Sequence, residues 1–287
     1  MSFDELTNRL IVFSDKNDDT KSSHWKYYTK NFNSQLVNQS YGVAGFGTAS
    51  KKTLIKIIYH YIFQRILFFK NNIFKTDNYN LMKSICNIQK RNLNLDSLRH
   101  VFTHNLLEKY ISNTENKICC CIGDGRTNYI APLLLNKKFK KIISVNLSEI
   151  LLADLQLLKY VIKSDEIIII ESENDYLRYI NDNKTRLLLL PAKKCNILFN
   201  KNIDFFINIA SFQEMKNLTV KLYFDIIKSN NSLFYCCNRE YKELMGGEIL
   251  EFDKYDWGNP KVFFKEYCPW HQLYYSIIPP FFFKYDG

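Results

Sequence analysis

From Lys117 onward, short apolar runs alternate with longer segments of helical periodicity, and this alternation constrains the fold more than any other feature. A run of five or six apolar residues with no polar face reads as a strand covered on both sides. Such strands belong to parallel sheets, whose neighbours need crossover helices between them. Strands are expected at 118–122 (ICCCI), 141–146 (KIISVN), 166–170 (EIIII), 186–190 (RLLLL), 204–209 (DFFINI) and 232–238 (SLFYCCN). Helices are expected at 148–162, N-capped by Ser148, and at 217–229. The reading is an α/β, Rossmann-like domain over 116–287 with helices on both faces of its sheet, preceded by a mainly helical extension over 1–115.

The first 50 residues are polar and turn-rich and read as an arm or loop on the domain. Gly42, Gly45 and Gly47 form a flexible loop on this reading, because no strand precedes them as a phosphate loop requires. Over 53–70, Lys52, Lys56, His60 and Gln64 draw one narrow polar stripe on an otherwise apolar helix. The spacing predicts a helix buried on most sides, with docking on a membrane surface as the alternative. A further helix follows Asp96 as N-cap, with Leu98, Val101, Phe102, Leu106 and Tyr110 on its apolar face. His100, His104 and Glu108 fall on the other face. The zinc-protease pattern needs a Glu directly after the first His, which is absent, so a solvated polar face is expected over a metal pair.

With 46% hydrophobic residues in 287, the chain can fill a core without disulfides. Its eight cysteines include the triplet Cys119, Cys120, Cys121 and no Cys-x-x-Cys pair. Successive strand residues point to opposite faces, so the triplet cannot converge on one metal, and buried free thiols are expected. A net charge of +10 favours anionic partners: nucleic acid, acidic glycans or a membrane carrying lipid-linked sugars. Against this, the lysines read as scattered, and the abundance of Lys, Asn, Ile, Phe and Tyr suits a general compositional bias. The acidic, polar start MSFDELTNRL lacks a secretion signal, and no long uncharged apolar run occurs, so a cytoplasmic protein is expected.

Chemistry concentrates at the ends of the expected strands. In CIGDGRT, Cys121 to Thr127, the chain leaves the first strand through Gly123, Asp124 and Gly125 and opens a helix whose amides suit a carboxylate. A dinucleotide motif would place a third glycine where Asn128 stands, so the pattern suits an adenosyl cofactor instead. Asn146, ending the second strand, stands where an acidic residue usually holds ribose hydroxyls. In DFFINIASFQEM, Asn208, Ser211, Gln213 and Glu214 lie at a strand's carboxyl end, where ligands of such sheets bind. Ser211 and Glu214 also fit a capping box, and both readings stand. Arg239 suits a carboxylate or phosphate as well as a surface ion pair. Trp257, Trp270, Tyr274, Tyr275 and Phe281 to Phe283 suit sugar stacking or core packing.

On CIGDGRT, INIASFQEM, FYCCNRE and, more loosely, SSHWKYY, the chain resembles the sugar O-methyltransferases of bacterial surface-polysaccharide loci over most of its length. The resemblance implies a class I methyltransferase fold, S-adenosylmethionine as donor, and a sugar or glycan hydroxyl as acceptor, nucleotide- and lipid-linked forms included. It assigns the cofactor to Cys121, Gly123, Asp124, Gly125, Asn146 and Ser211, and the acceptor to Gln213, Asn238 and Arg239. Deprotonating the hydroxyl falls to Glu214 or His271. Cys121 and Asn146 depart from the acidic residues usual in this fold, which keeps a degenerate glycan-binding or scaffolding protein among the readings. A nucleic-acid methyltransferase fits the charge but lacks the Asp/Asn-Pro-Pro-aromatic motif that amino-methylating enzymes place after the fourth strand, where INIAS stands instead. Spacing alone assembles no carboxylate and His cluster for a metal.

Overall fold

The computed structural model describes residues 1–14, 21–29, 58, 61, 62, 64–66, 68, 69 and 71–270. Its contacts divide the chain into two units, Met1–Thr48 with Asn113–Trp257, and Ala49–Ser112 with Gly258–Gly287. The chain crosses between the units three times, after Thr48, Ser112 and Trp257, and the first 48 residues are grouped with the sheet.

In the first unit β1 (Ile118–Ile122), β2 (Lys141–Asn146), β3 (Ile167–Ile169), β4 (Leu187–Pro191), β5 (Phe205–Ile209) and β6 (Leu233–Cys237) form one parallel sheet. Its order is β3-β4-β2-β1-β5-β6, with Cys119 opposite Ile142 on one side and Phe205 on the other. All six expected strands are present, shifted at their ends by at most a residue or two. The chain runs outward from β1 and then crosses back to β5, so the strand order reverses between β1 and β5. The carboxyl ends at that reversal frame the crevice of a Rossmann-like sheet.

One sheet face packs Cys120, Ile143, Val145, Leu188 and Phe206 against α7 (Glu173–Ile180) and α8 (Asn217–Ser229), with Tyr176 and Tyr223 among the contacts. The strand pleat turns Cys119 and Cys121 to the other face, where Tyr129 precedes α5 (Ile130–Leu135). The triplet is split across the sheet as expected, and burial holds the Cys120 and Cys121 thiols well above their ordinary range. α6 (Ser148–Leu158) has Leu147, not Ser148, at its N-cap position, and no side chain caps it.

The expected arm is helical where described. α1 (Phe3–Val12) starts with a capping box, Glu5 N donating to Ser2 Oγ at 3.2 Å and Ser2 N to Glu5 Oε2 at 2.7 Å, and it packs Leu6 and Leu10 inward near α6. α2 (Ser23–Thr29) buries Trp25 against Ile150. A separate antiparallel pair, β7 (Tyr241–Glu243) and β8 (Ile249–Glu251), follows β6. Trp257 packs on Phe224, Phe234 and Phe252, which takes it out of the sugar-stacking candidates.

In the second unit α3 (Asp77–Ile88) and α4 (Leu95–Leu107) pack Met82, Ile85, Leu98 and Val101 into a core, with Trp270 buried among related residues. Asn94, not Asp96, is the N-cap of α4 and accepts from Ser97 N at 2.9 Å. His100 and His104 do not lie on a solvated face. Both are buried, and burial pushes His100 down to about 3. The helical residues 58, 61, 62 and 64–66 also reverse an expectation. Gln64, from the polar stripe, is buried and donates from Nε2 to Leu93 O at 2.9 Å, whereas Ile58, Tyr61, Ile62 and Ile66 are exposed. The stripe residues Lys52, Lys56 and His60 lie outside the described residues, as do Gly42, Gly45, Gly47, His271, Tyr274, Tyr275 and Phe281 to Phe283. No helix among the described residues is long and apolar enough to cross a membrane.

Candidate functional site

At the reversal between β1 and β5 the backbone is unusually contorted. Gly123 has φ +78°, and a Cβ there would lie 2.5 Å from Ser211 Cβ and closer still to Ser211 Oγ. The glycine is required by its conformation and by the close approach of the β5 end. Gly125 does not use the left-handed region; Arg126 (φ 68°) and Thr127 (φ 56°) do, and Ala210 (φ 55°) matches them at the end of β5. Left-handed backbone is uncommon at a residue with a Cβ, most of all at β-branched Thr127, and three such positions gathered at two strand ends mark a place where the fold holds strain.

Interior carboxylates hold the turn in shape. Asp124 accepts from Tyr129 N at 3.0 Å and Ile130 N at 2.8 Å, satisfying the first amides of α5. Asp154, fully buried on α6, accepts from Arg126 N at 2.7 Å. Burial first, and the charge of Asp124 second, raise the Asp154 pKa well above the usual carboxylate range.

The carboxyl ends of β1, β5 and β6 are joined by side-chain amides. Asn208 donates from Nδ2 to Ile122 O at 2.9 Å and to Ser211 Oγ at 2.7 Å, and its Oδ1 accepts from Asn238 Nδ2 at 2.8 Å. Gln213 N donates to Asn238 Oδ1 at 3.2 Å, and Arg239 N to Gln213 Oε1 at 2.9 Å. The structure therefore brings Gly123, Ser211, Gln213, Asn238 and Arg239 together, with much of their bonding capacity turned on one another. Ser211 does not cap the turn that follows with its side chain. Its hydroxyl donates to Ile122 O at 3.2 Å, so the capping-box reading falls.

The segment 21–29 lies against these strand ends. Ser22 Oγ donates to Glu214 O at 2.5 Å, and Ser23 Oγ to Glu248 Oε2 at 2.5 Å. His24 Nε2 lies 3.6 Å from Glu214 Oε2, with both side chains largely buried. Burial, then Lys242, push His24 down to about 4, so the imidazole is neutral at pH 7. His24 was within reach of sequence reasoning only as part of SSHWKYY, because nothing local to that segment points to a partner in the turn after β5.

Glu149, an acidic residue in the first turn of α6, stands three positions beyond Asn146. Asn146 Oδ1 accepts from the next amide, Leu147 N, at 2.9 Å. Glu149 is buried and pairs with Lys21 Nζ at 2.6 Å. Beside this pair a shallow recess at the carboxyl ends of β2 and β4 is lined by Phe13, Leu147, Ser148, Ala192 and Lys193. Among the described residues, no group of three or more His, Cys, Asp or Glu is placed to hold a metal ion. In comparisons with known proteins the chain matches no protein family, no curated protein and no solved structure.

Proposed function

We propose that this protein is an S-adenosylmethionine-dependent O-methyltransferase of the class I fold, acting on a sugar hydroxyl in glycan or surface-polysaccharide modification. The observation that carries the reading is the neutral His24 beside Glu214, at the strand reversal where such sheets bind ligands. When bound, S-adenosylmethionine supplies an electrophilic methyl group. The recess beside Leu147, Ser148 and Ala192 is water-sized as it stands, so Lys21 would have to part from Glu149 for the cofactor to enter and for that carboxylate to accept from ribose hydroxyls. A sugar hydroxyl is too weakly acidic to react unaided, so a positioned base is needed. His24 enters neutral and can take the proton; the Glu214 carboxylate then stabilises the imidazolium that forms. Arg239, at the end of β6, is the candidate contact for an acidic or phosphorylated acceptor.

Titration calorimetry with S-adenosylmethionine and its demethylated product should show micromolar binding, lost in Gly123→Arg. Against nucleotide sugars and polysaccharide fragments, His24→Gln and Glu214→Gln should each slow methyl transfer by at least about 100-fold. Unchanged rates in both would remove this pair from the mechanism.

A second reading has its own observation. The Lys21–Glu149 pair already occupies the acidic group of the recess, which suits a member of the fold that binds glycans without cofactor. Absence of binding at millimolar S-adenosylmethionine, from protein shown to be folded, would favour that reading.

A further inference from the structure

The helical unit, Ala49–Ser112 with Gly258–Gly287, carries 14 Lys and Arg against 5 Asp and Glu, a formal +9 of the chain's +10. The sheet unit, with 25 against 24, is close to neutral. The positive charge that reads as scattered along the sequence is thus concentrated on one body.

That body also exposes an apolar helix face. Ile58, Tyr61, Ile62 and Ile66 are helical and follow helical spacing on one side, Phe69 lies in the turn after them, and all five are 48–72% exposed, while Gln64 and Phe68 are turned in. Arg65 stands among them, its guanidinium 4.5 Å from the Tyr61 ring and 4.8 Å from that of Phe74. Val262, Phe263 and Tyr267, in the second stretch of the same unit, are exposed as well, interleaved with Lys261 and Lys265. Burying a glutamine while exposing isoleucines costs free energy in water unless something apolar meets that face.

We propose that the helical unit docks on an anionic lipid bilayer, with the 58–69 face inserted at the interface and its basic residues against the headgroups. The charge decides the occupant. A second copy would bring two +9 bodies face to face, which Coulomb repulsion opposes. Nucleic acid would neutralise the charge but offers no apolar layer to receive bulky aliphatic side chains. An anionic membrane supplies both. This inference does not depend on the methyltransferase reading, and its test contains no cofactor.

The test is co-sedimentation of the full chain with phosphatidylcholine vesicles, with and without roughly one third phosphatidylglycerol, at about 0.1 M salt. Binding to the anionic vesicles should be at least about tenfold tighter than to the neutral ones. The double variant Ile62→Asn/Ile66→Asn, and separately Phe69→Ser, keep the charge and remove exposed apolar groups. Both should fold with unchanged thermal midpoints, and the double variant should bind the anionic vesicles about tenfold or more weakly. Four results overturn the proposal: no binding to anionic vesicles, equal binding by the wild type and both variants, a dimer in solution that the double variant dissolves, or binding to generic RNA that vesicles do not displace.

Discussion

At Gly123 the φ of +78° and the closeness of Ser211 leave no room for a Cβ. Gly123→Ala should therefore lower stability by about 2–4 kcal/mol, the left-handed strain and the overlap adding, as read by denaturant unfolding. A change below about 0.5 kcal/mol would mean that the turn relaxes freely. Asp124 is different in kind, because its buried carboxylate serves the amides of Tyr129 and Ile130. Asp124→Ala should cost about 1–3 kcal/mol, while Asp124→Asn, which keeps an acceptor oxygen, should recover part of the loss. The glycine was legible in the sequence, since its place after an apolar run announces a turn. The left-handed Arg126, Thr127 and Ala210 were not, because residues with a Cβ adopt that backbone only under tertiary constraint.

Among the elements, the segment leading into α2 is held by a buried ion pair, Lys21 with Glu149 at 2.6 Å. Removing one partner leaves a buried charge without its opposite, so Lys21→Met should cost about 3–5 kcal/mol. The double variant Lys21→Met/Glu149→Leu should return most of that stability. If both variants lose equally, the pair is not what fixes the segment. The strands were legible one by one because a five-residue apolar run identifies itself. α2 was not: its helix is short, and its buried contacts, Trp25 on Ile150 and Ser22 on Glu214, lie on distant parts of the chain. The capping expectations at Ser148 and Asp96 missed by one or two residues, since several polar residues near a helix start compete and packing selects among them.

For the whole molecule, the two units should respond differently to acid. His100 in the helical unit has a folded pKa of about 3 against 6.5 unfolded, so the unfolded chain binds a proton that the folded one refuses. Stability of that unit should fall as pH drops from 6.5 to about 3, by up to about 1.4 kcal/mol per pH unit. In the sheet unit His24 acts in the same direction. Asp154 opposes it, holding in the folded state a proton that the unfolded chain releases above its ordinary 3.8. Native-state hydrogen exchange should show α3 and α4 losing protection over this window while β1 and β2 change little; an equal loss in both would count against the assignment. What the sequence determined by itself was the number and place of the sheet's strands and the glycine turn, because burial on both faces is written into each apolar run and needs no knowledge of neighbours. The tertiary structure alone decided the strand order, the meeting of His24 with Glu214, the gathering of positive charge on a body made from two separate stretches, and which of the described residues between 58 and 69 turn inward. Those outcomes depend on long-range contacts, and a local pattern can show that a helix has two faces without stating which one finds a partner.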